Sequence, residues 1–242
     1  MTNANPDTLV AERFMALQSP LGRWRLMGYA WFKRVSWRWL INGTLWAKRL
    51  FDVVASAVLL VLSGPLFLLI ALLIKLEDGG PVFFVQTRVG LWGRHFRMFK
   101  FRSMYTDAEQ RFPHVLGQNY HREGVTFKLK HDPRTTRVGK WLRRLSLDEL
   151  PQLINVLKGD MSLVGPRPPV PREVAVYSSA DRRRLMTMPG LTCLWQIGGR
   201  AEIDFSGQVQ LDVEYIESQS FWGDVKILVK TIPALLSGKG AY

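Results

Sequence analysis

Residues 146–168 read SLDELPQLINVLKGDMSLVGPRP. Asp148 and Glu149 stand side by side, Arg143 and Arg144 precede them, and Arg167 follows between two prolines. Arg200 comes later, after a Gly-Gly pair, and Lys100 and Arg102 lie upstream, two residues apart. A carboxylate can attack phosphorus and form an aspartyl-phosphate. It can also hold Mg²⁺, which prefers hard oxygen ligands and substrate phosphates. Phosphoryl transfer is mostly positioning and charge neutralisation, so acids doing this work need cations around them. The arginine fork suits a diphosphate because it donates two hydrogen bonds at once. The prolines beside Arg167 restrict its backbone and can hold its side chain in place.

Each of these residues also has a plainer reading. Ser146-x-x-Glu149 is a capping box, with Asp148 in the first turn suiting the helix dipole. Pro151 fits a helix starting at Ser146 poorly and one starting nearer Asp148 better. The run from Gly165 to Pro171 reads equally as a rigid polyproline linker. Lys100 and Arg102 share a strand face, which suits either a solvated charged surface or a phosphate contact.

Several elements must position these groups. Val82–Gln86 and Phe96–Phe101 have strand character and are joined around Leu91-Trp92-Gly93, a hairpin signal. Residues 134–145 place Val138, Trp141, Leu142 and Leu145 at helical spacing, with Arg137, Lys140, Arg143 and Arg144 between them. That is a basic amphipathic helix without an acid, suited to a membrane surface or to nucleic acid. The tail holds one or two helices, with Asp212, Glu214 and Glu217 on the first and Val225, Leu228 and Ile232 as a stripe on the second.

Residues 53–74 read VVASAVLLVLSGPLFLLIALLI, without a charge. As one straight helix they would reach about 33 Å, enough to span a bilayer core. Ser63-Gly64-Pro65 interrupts the run, and Pro65 must kink a helix there. Each half is then about 15–20 Å, too short to cross alone. Both flanks are basic, with eight Lys/Arg in residues 1–49 and seven in residues 75–111. The positive-inside tendency keeps both flanks in the cytoplasm. A helix-break-helix that enters and leaves by one face satisfies both observations; a kinked span is the alternative. Residues 24–50 mix Trp, Phe and Leu with Arg and Lys, as an interfacial amphipathic stretch does.

The totals agree with an anionic partner. Lys plus Arg is 33 against 20 acids, a net charge of +13 in 242 residues. Nucleic acid, an anionic membrane and a phosphorylated substrate all remain open on that ground. The single cysteine, Cys193, excludes an internal disulfide and a Cys-based zinc site. The four histidines show no His-x-x-x-His spacing. Nine tryptophans suit a membrane interface, or an ordinary core. The polar, acid-bearing start, MTNANPDTLVAERF, does not read as a signal peptide.

The stretches KRLFDVVASAVLLVLSGPLFLLIALLIK, GPVFFVQTRVG, FKFRSM, SLDELPQLINVLKGDMSLVGPRP and PGLTCLWQIGGR follow in this order. Together they closely resemble the bacterial sugar transferases that start surface glycan assembly, the monotopic polyprenyl-phosphate phosphoglycosyl transferases. The resemblance covers about residues 46–242, and the size and the ending GKGAY look most like the hexose-1-phosphate transferases of exopolysaccharide synthesis. It implies transfer of a sugar-1-phosphate from a UDP-sugar, UDP-galactose or UDP-glucose, to undecaprenyl phosphate, with UMP released, Mg²⁺ as cofactor and no nucleic acid. It implies Asp148 as nucleophile, Glu149 in proton handling or in support of the metal, and both acids at the metal. Lys100, Arg102, Arg167 and Arg200 are implied as phosphate contacts. It further implies a re-entrant hairpin broken at Pro65, at the cytoplasmic face of the inner membrane of a bacterium. Here the chain departs from the family's usual Ser-Pro break by inserting Gly64, and Cys193 stands where glycine is common.

The expected fold is therefore α+β: a mostly helical, membrane-associated catalytic domain with a small β-hairpin and a re-entrant helix-break-helix. Residues 1–47 are expected as an interfacial segment, 48–75 as the hairpin and 76–242 as the cytoplasmic domain. Two rivals stand beside this reading, a non-catalytic membrane scaffold of a glycan assembly complex and a basic nucleic-acid-binding module. The intact acid pair and both arginines weigh against the scaffold.

Overall fold

The computed structural model describes residues 20–115, 125, 129, 132–199 and 202–237, without the side chains of residues 22, 23, 26, 34–42 and 44. The chain divides into two compact units, Met1–Arg49 and Leu50–Tyr242. The described residues are mostly helical, with two small two-stranded sheets, an α+β arrangement.

Helix α1 (Pro20–Leu62) opens with a proline, whose missing N–H costs nothing in a first turn. The helix carries the aromatic, basic stretch and the first part of the apolar run. In the first unit Trp24, Trp31 and Trp46 are exposed, as are Arg25 and Lys33.

In the second unit α1 ends at Leu62 and α2 (Gly64–Asp78) leaves at a bend of 59°. Ser63 still donates its N–H to Leu59 O at 2.9 Å, and its hydroxyl donates to the same carbonyl. Pro65 has no N–H to extend the ladder, so the chain turns there. No single helix among the described residues is long and apolar enough to cross a membrane, and this bent pair passes that test only jointly. Val58, Val61, Leu62, Leu68, Leu72 and Leu76 point outward, while Asp52, Ser56, Ile70 and Ile74 are buried. Burying Ile70 and Ile74 stabilises the pair's attachment by roughly 1.5–3 kcal/mol each.

Strands β1 (Phe83–Val89) and β2 (His95–Phe101) form the expected antiparallel hairpin, with Phe84 opposite Lys100. Trp92 and Gly93 supply positive φ at the turn. Beyond a short α3 (Phe112–Val115), α4 (Arg137–Arg144) and α5 (Gln152–Lys158) flank the acid pair. Next come β3 (Ser162–Val164), α6 (Pro171–Ala175), β4 (Gly190–Thr192), α7 (Leu194–Gly198), α8 (Phe205–Ser218) and α9 (Phe221–Ser237). The parallel pair β3–β4 adds a second sheet that sequence patterning did not anticipate, because three-residue strands carry no readable period. Its backbones approach so closely that a Cβ on Gly190 would collide with Gly165.

Two apolar cores result. One packs Met98, Leu153, Val156, Leu163, Tyr215 and Ile227 against Phe51 and Ala55 of α1. The other joins Ile70 and Ile74 of α2 to Phe101 and Leu142. Leu150, one residue after the acid pair, packs against both. Two acids, Asp52 buried and Glu77 half-buried, fasten the apolar helices in place. Asp52 accepts from Ser162 Oγ at 2.8 Å and Leu163 N at 3.3 Å. At the far end of α2, Glu77 accepts from Arg137 N at 2.7 Å and so caps α4. Of the amphipathic stripe expected on α4, Leu142 turns inward and Trp141 stays 65% exposed.

Candidate active site

The acid pair sits on a 3₁₀ turn, Leu147–Glu149, between α4 and α5. The capping box does not form. Ser146 adopts a left-handed conformation (φ 55°) and its side chain caps nothing. Pro151 instead occupies the N-cap of α5, where no donor is needed. Leu147 and Leu150 anchor the turn in the cores on either side, which turns the acids toward a cavity.

Lys100 reaches this turn from the penultimate position of β2. Its Nζ lies 2.7 Å from Glu149 Oε1 and 3.9 Å from Asp148 Oδ2. The fully buried Asn155 sets that register. Its Oδ1 accepts from Phe99 N at 3.0 Å and its Nδ2 donates to Arg97 O at 2.7 Å, tying α5 to β2. Arg167 approaches Glu149 Oε1 at 3.4 Å. The loop carrying Arg167 is no free linker. Gly190 N donates to Pro166 O at 2.9 Å, Val89 N to Pro169 O at 2.9 Å and Arg88 Nη1 to Pro168 O at 2.9 Å.

Burial pushes the Asp148 carboxyl above the usual aspartate range; Lys100 opposes this and the neighbouring Glu149 reinforces it. Burial acts on Glu149 in the same sense, but Lys100 and Arg167 outweigh it and hold that carboxyl down at about 2. Burial also lowers Lys100 against the pull of both acids. Two adjacent carboxyls whose affinities for protons are pushed apart have different parts to play. Glu149 is the stronger acid of the two and Asp148 the more basic.

The cavity before them measures about 760 Å³. Its polar end carries Lys100, Arg143, Asp148, Glu149 and Arg167. Its other walls are apolar, with Leu59, Leu62 and Leu66 from the bent helices and Leu228, Ile232 and Leu235 from α9. Thr192 and Thr231 join hydroxyls across it at 2.9 Å.

Lys100, Asp148, Glu149 and Arg167 thus converge. Arg102 does not: its guanidinium clamps Asp78, at 2.7 Å from Nη1 to Oδ2 and by a second bond from Nη2 to Oδ1. One residue past the strand end, it turns away from Lys100 to hold the last turn of α2. Arg200 lies outside the described residues. Sequence reasoning passed over Arg88, whose burial, with Arg167 nearby, depresses its pKa to about 10. The only signal for it was a cation inside an apolar strand. Leu228 and Ile232, from the apolar stripe read on the second tail helix, line the cavity.

Comparison with known proteins adds to this geometry. The family described as Bacterial sugar transferase matches residues 43–238. The chain is 49% identical over 196 residues to "Galactosyl transferase CpsE" of Streptococcus agalactiae, covering 81% of this chain and 43% of that one. It is 46% identical over 199 residues to "Exopolysaccharide production protein ExoY" of Rhizobium meliloti, covering 81% and 88%. It is 43% identical over 203 residues to the "UDP-glucose:undecaprenyl-phosphate glucose-1-phosphate transferase" of Caulobacter vibrioides, covering 81% and 72%. The chain therefore spans less than half of the first relative and most of the other two.

Proposed function

The chain belongs to the bacterial sugar transferase family, and on that premise we propose that it moves a hexose-1-phosphate from a UDP-sugar to undecaprenyl phosphate, releasing UMP. The observation that carries this reading is the junction at Asp148. There a buried, basic carboxylate stands where a cation cluster meets an apolar cavity large enough for the head of a lipid phosphate. The donor sugar on this reading is galactose or glucose, the two sugars that the relatives' names carry.

In the first half-reaction an Asp148 oxygen attacks the sugar-bearing phosphorus. The bond from that phosphorus to the bridging oxygen breaks, and UMP leaves with the electron pair. Lys100 and Arg167 face the developing charge. In the second half-reaction a phosphate oxygen of undecaprenyl phosphate attacks the same phosphorus, and the aspartyl bond breaks to restore the carboxylate. Glu149, pinned as an anion, keeps Lys100 charged and in place.

The acid pair suits Mg²⁺ through its hard oxygens, although no group of three or more metal-binding side chains occurs among the described residues. Such a site takes its other ligands from substrate phosphate and water. Lys100 and Arg167 already engage Glu149 Oε1, so Asp148 is the principal protein ligand. Bound there, Mg²⁺ supplies neutralisation of the diphosphate.

The outward leucines of the bent pair, its 59° break and the basic flanks support a re-entrant hairpin in the cytoplasmic leaflet of a bacterial inner membrane. On that reading the cavity lies at the depth of the lipid phosphate.

The test is nucleotide release from purified protein with Mg²⁺, undecaprenyl phosphate and a panel of UDP-sugars. UMP from one donor, a mass increase equal to one sugar phosphate on Asp148, and loss of both in Asp148→Asn are expected. UDP in place of UMP, or full turnover by Asp148→Asn, would overturn the mechanism.

A further inference from the structure

A narrow gap of about 10 Å³ lies beside Glu149, with Lys100, Arg167, Gln152 and Arg88 among its walls. It is distinct from the large cavity. Gln152 and Arg88 line the gap and not that cavity, while Asp148 lines the cavity and not the gap. Three polar side chains at the gap are incompletely bonded. Gln152, the first residue of α5, is 3% exposed, yet its side-chain amide makes no hydrogen bond among the described residues. Arg88 donates from Nη1 to Pro168 O at 2.9 Å and from Nη2 to Gln86 Oε1 at 2.7 Å, and its Nε is buried without a partner. Glu149 accepts on Oε1 from Lys100 Nζ at 2.7 Å and from Arg167 Nη1 at 3.4 Å, and nothing among the described residues bonds its Oε2. Buried polar groups without partners are costly, and native proteins settle many of them on ordered water.

From these residues we infer that the gap is the site of one ordered water, held by Gln152 and Arg88, through which Gln152 positions Glu149. The water site rests on the geometry alone; the use made of Glu149 rests on the transferase reading above. A site for one water needs about 10–15 Å³ and about two to four polar partners. The gap meets both needs. Arg88 Nε–H donates to the water, and the water donates one hydrogen to Glu149 Oε2 and the other to Gln152 Oε1. The consequence is positional. A carboxylate gripped at one oxygen still swings about its last torsion, which is broad. Tying the second oxygen fixes the carboxylate plane and so aims Lys100, whose Nζ lies 2.7 Å from Glu149 Oε1 and 3.9 Å from Asp148 Oδ2. Gln152 is therefore a positioning residue. It lines no part of the large cavity, and it acts on the attacking carboxyl only through Glu149 and Lys100.

The experiment pairs a crystal structure of the full chain, at a resolution that shows ordered water, with the kinetics of Gln152→Met. Methionine keeps the side-chain length and removes the amide. In the wild type one water should lie about 3 Å from the Gln152 amide, Arg88 Nε and Glu149 Oε2. In Gln152→Met that water should be lost or displaced, and kcat for UMP release should fall about tenfold, the effect of one hydrogen bond to a charged group. The KM of the donor and of undecaprenyl phosphate should each stay within about twofold, because Gln152 is not part of the large cavity's wall. A wild-type gap without ordered water, or a Gln152 amide bonded directly to Glu149, overturns the site. A kcat within about twofold of wild type, or a loss carried by KM instead, overturns the positioning role. Wild-type protein that shows the water but releases UMP from no donor leaves the site standing and brings down the transferase reading.

Discussion

Replacing Lys100 with methionine isolates the electrostatics of the acid pair. The methionine keeps most of the side-chain volume and removes the charge 2.7 Å from Glu149 and 3.9 Å from Asp148. Lys100 is the foremost attraction holding Glu149 at about 2 instead of its ordinary 4.5. A depression of that size stabilises the folded state by about 3 kcal/mol, at 1.36 kcal/mol per pH unit. The lysine's own burial works against this, and Arg167 keeps a share, so about 3 kcal/mol is the upper end. Breaking a buried ion pair from one side costs a similar amount, about 3–5 kcal/mol. In a chain of this length the melting temperature should fall by about 6–12 °C at pH 7. The pH dependence identifies the cause. Glu149 has a lowered folded pKa, so its contribution is fully present above pH 4.5 and is lost as pH falls toward 2. The difference between wild type and Lys100→Met, followed by differential scanning fluorimetry, should therefore shrink over that interval. A variant that melts within about 2 °C of wild type at pH 7, or a gap that does not shrink on acidification, refutes the reasoning.

Three further predictions concern neighbouring features. Burial raises the Asp148 carboxyl, so in the Mg²⁺-free protein it should titrate above the usual 3.8, followed by carboxyl NMR; titration at or below 3.8 contradicts the burial argument. Asp52→Ala strips the acceptor from Ser162 Oγ and Leu163 N and should cost about 1–3 kcal/mol for each buried donor, read as a lower melting temperature. Arg102→Leu should lower the melting temperature, and adding Asp78→Leu should cost little more, because the two side chains act as one unit; additive losses in this double-mutant cycle count against the clamp.

Much of the site was legible because it is built from contiguous residues of unusual type. The acid pair, the proline-flanked Arg167 and the broken apolar run each stand out in sequence, and Asp148, Glu149, Lys100 and Arg167 do converge. The hairpin was readable from alternation around Leu91-Trp92-Gly93, with ends displaced by up to three residues. The failures have one cause: burial depends on what packs against an element, which periodicity along one element does not encode. Lys100 and Arg102 share a strand-like spacing, yet the strand ends at Phe101 and the two cations part company. Ser146-x-x-Glu149 matches a capping box, yet Pro151 moves the helix start to Gln152 and leaves a 3₁₀ turn behind. The parallel pair β3–β4 and the buried Arg184–Asp212 pair join segments more than twenty residues apart, beyond the reach of any local pattern.

The loop of Pro166 to Pro169 has a thermodynamic consequence for whatever Arg167 grips. Three of its carbonyls are tied to β1 and β4, and three of its four residues have ring-locked φ angles. Ordering an unrestrained backbone costs about 1–2 kcal/mol per residue at 25 °C. Here that entropy is lost once, during folding, and is not charged again to each substrate that arrives. Only the Arg167 side chain remains to be ordered, so its grip on a phosphate should carry a small entropic penalty and vary little from one turnover to the next.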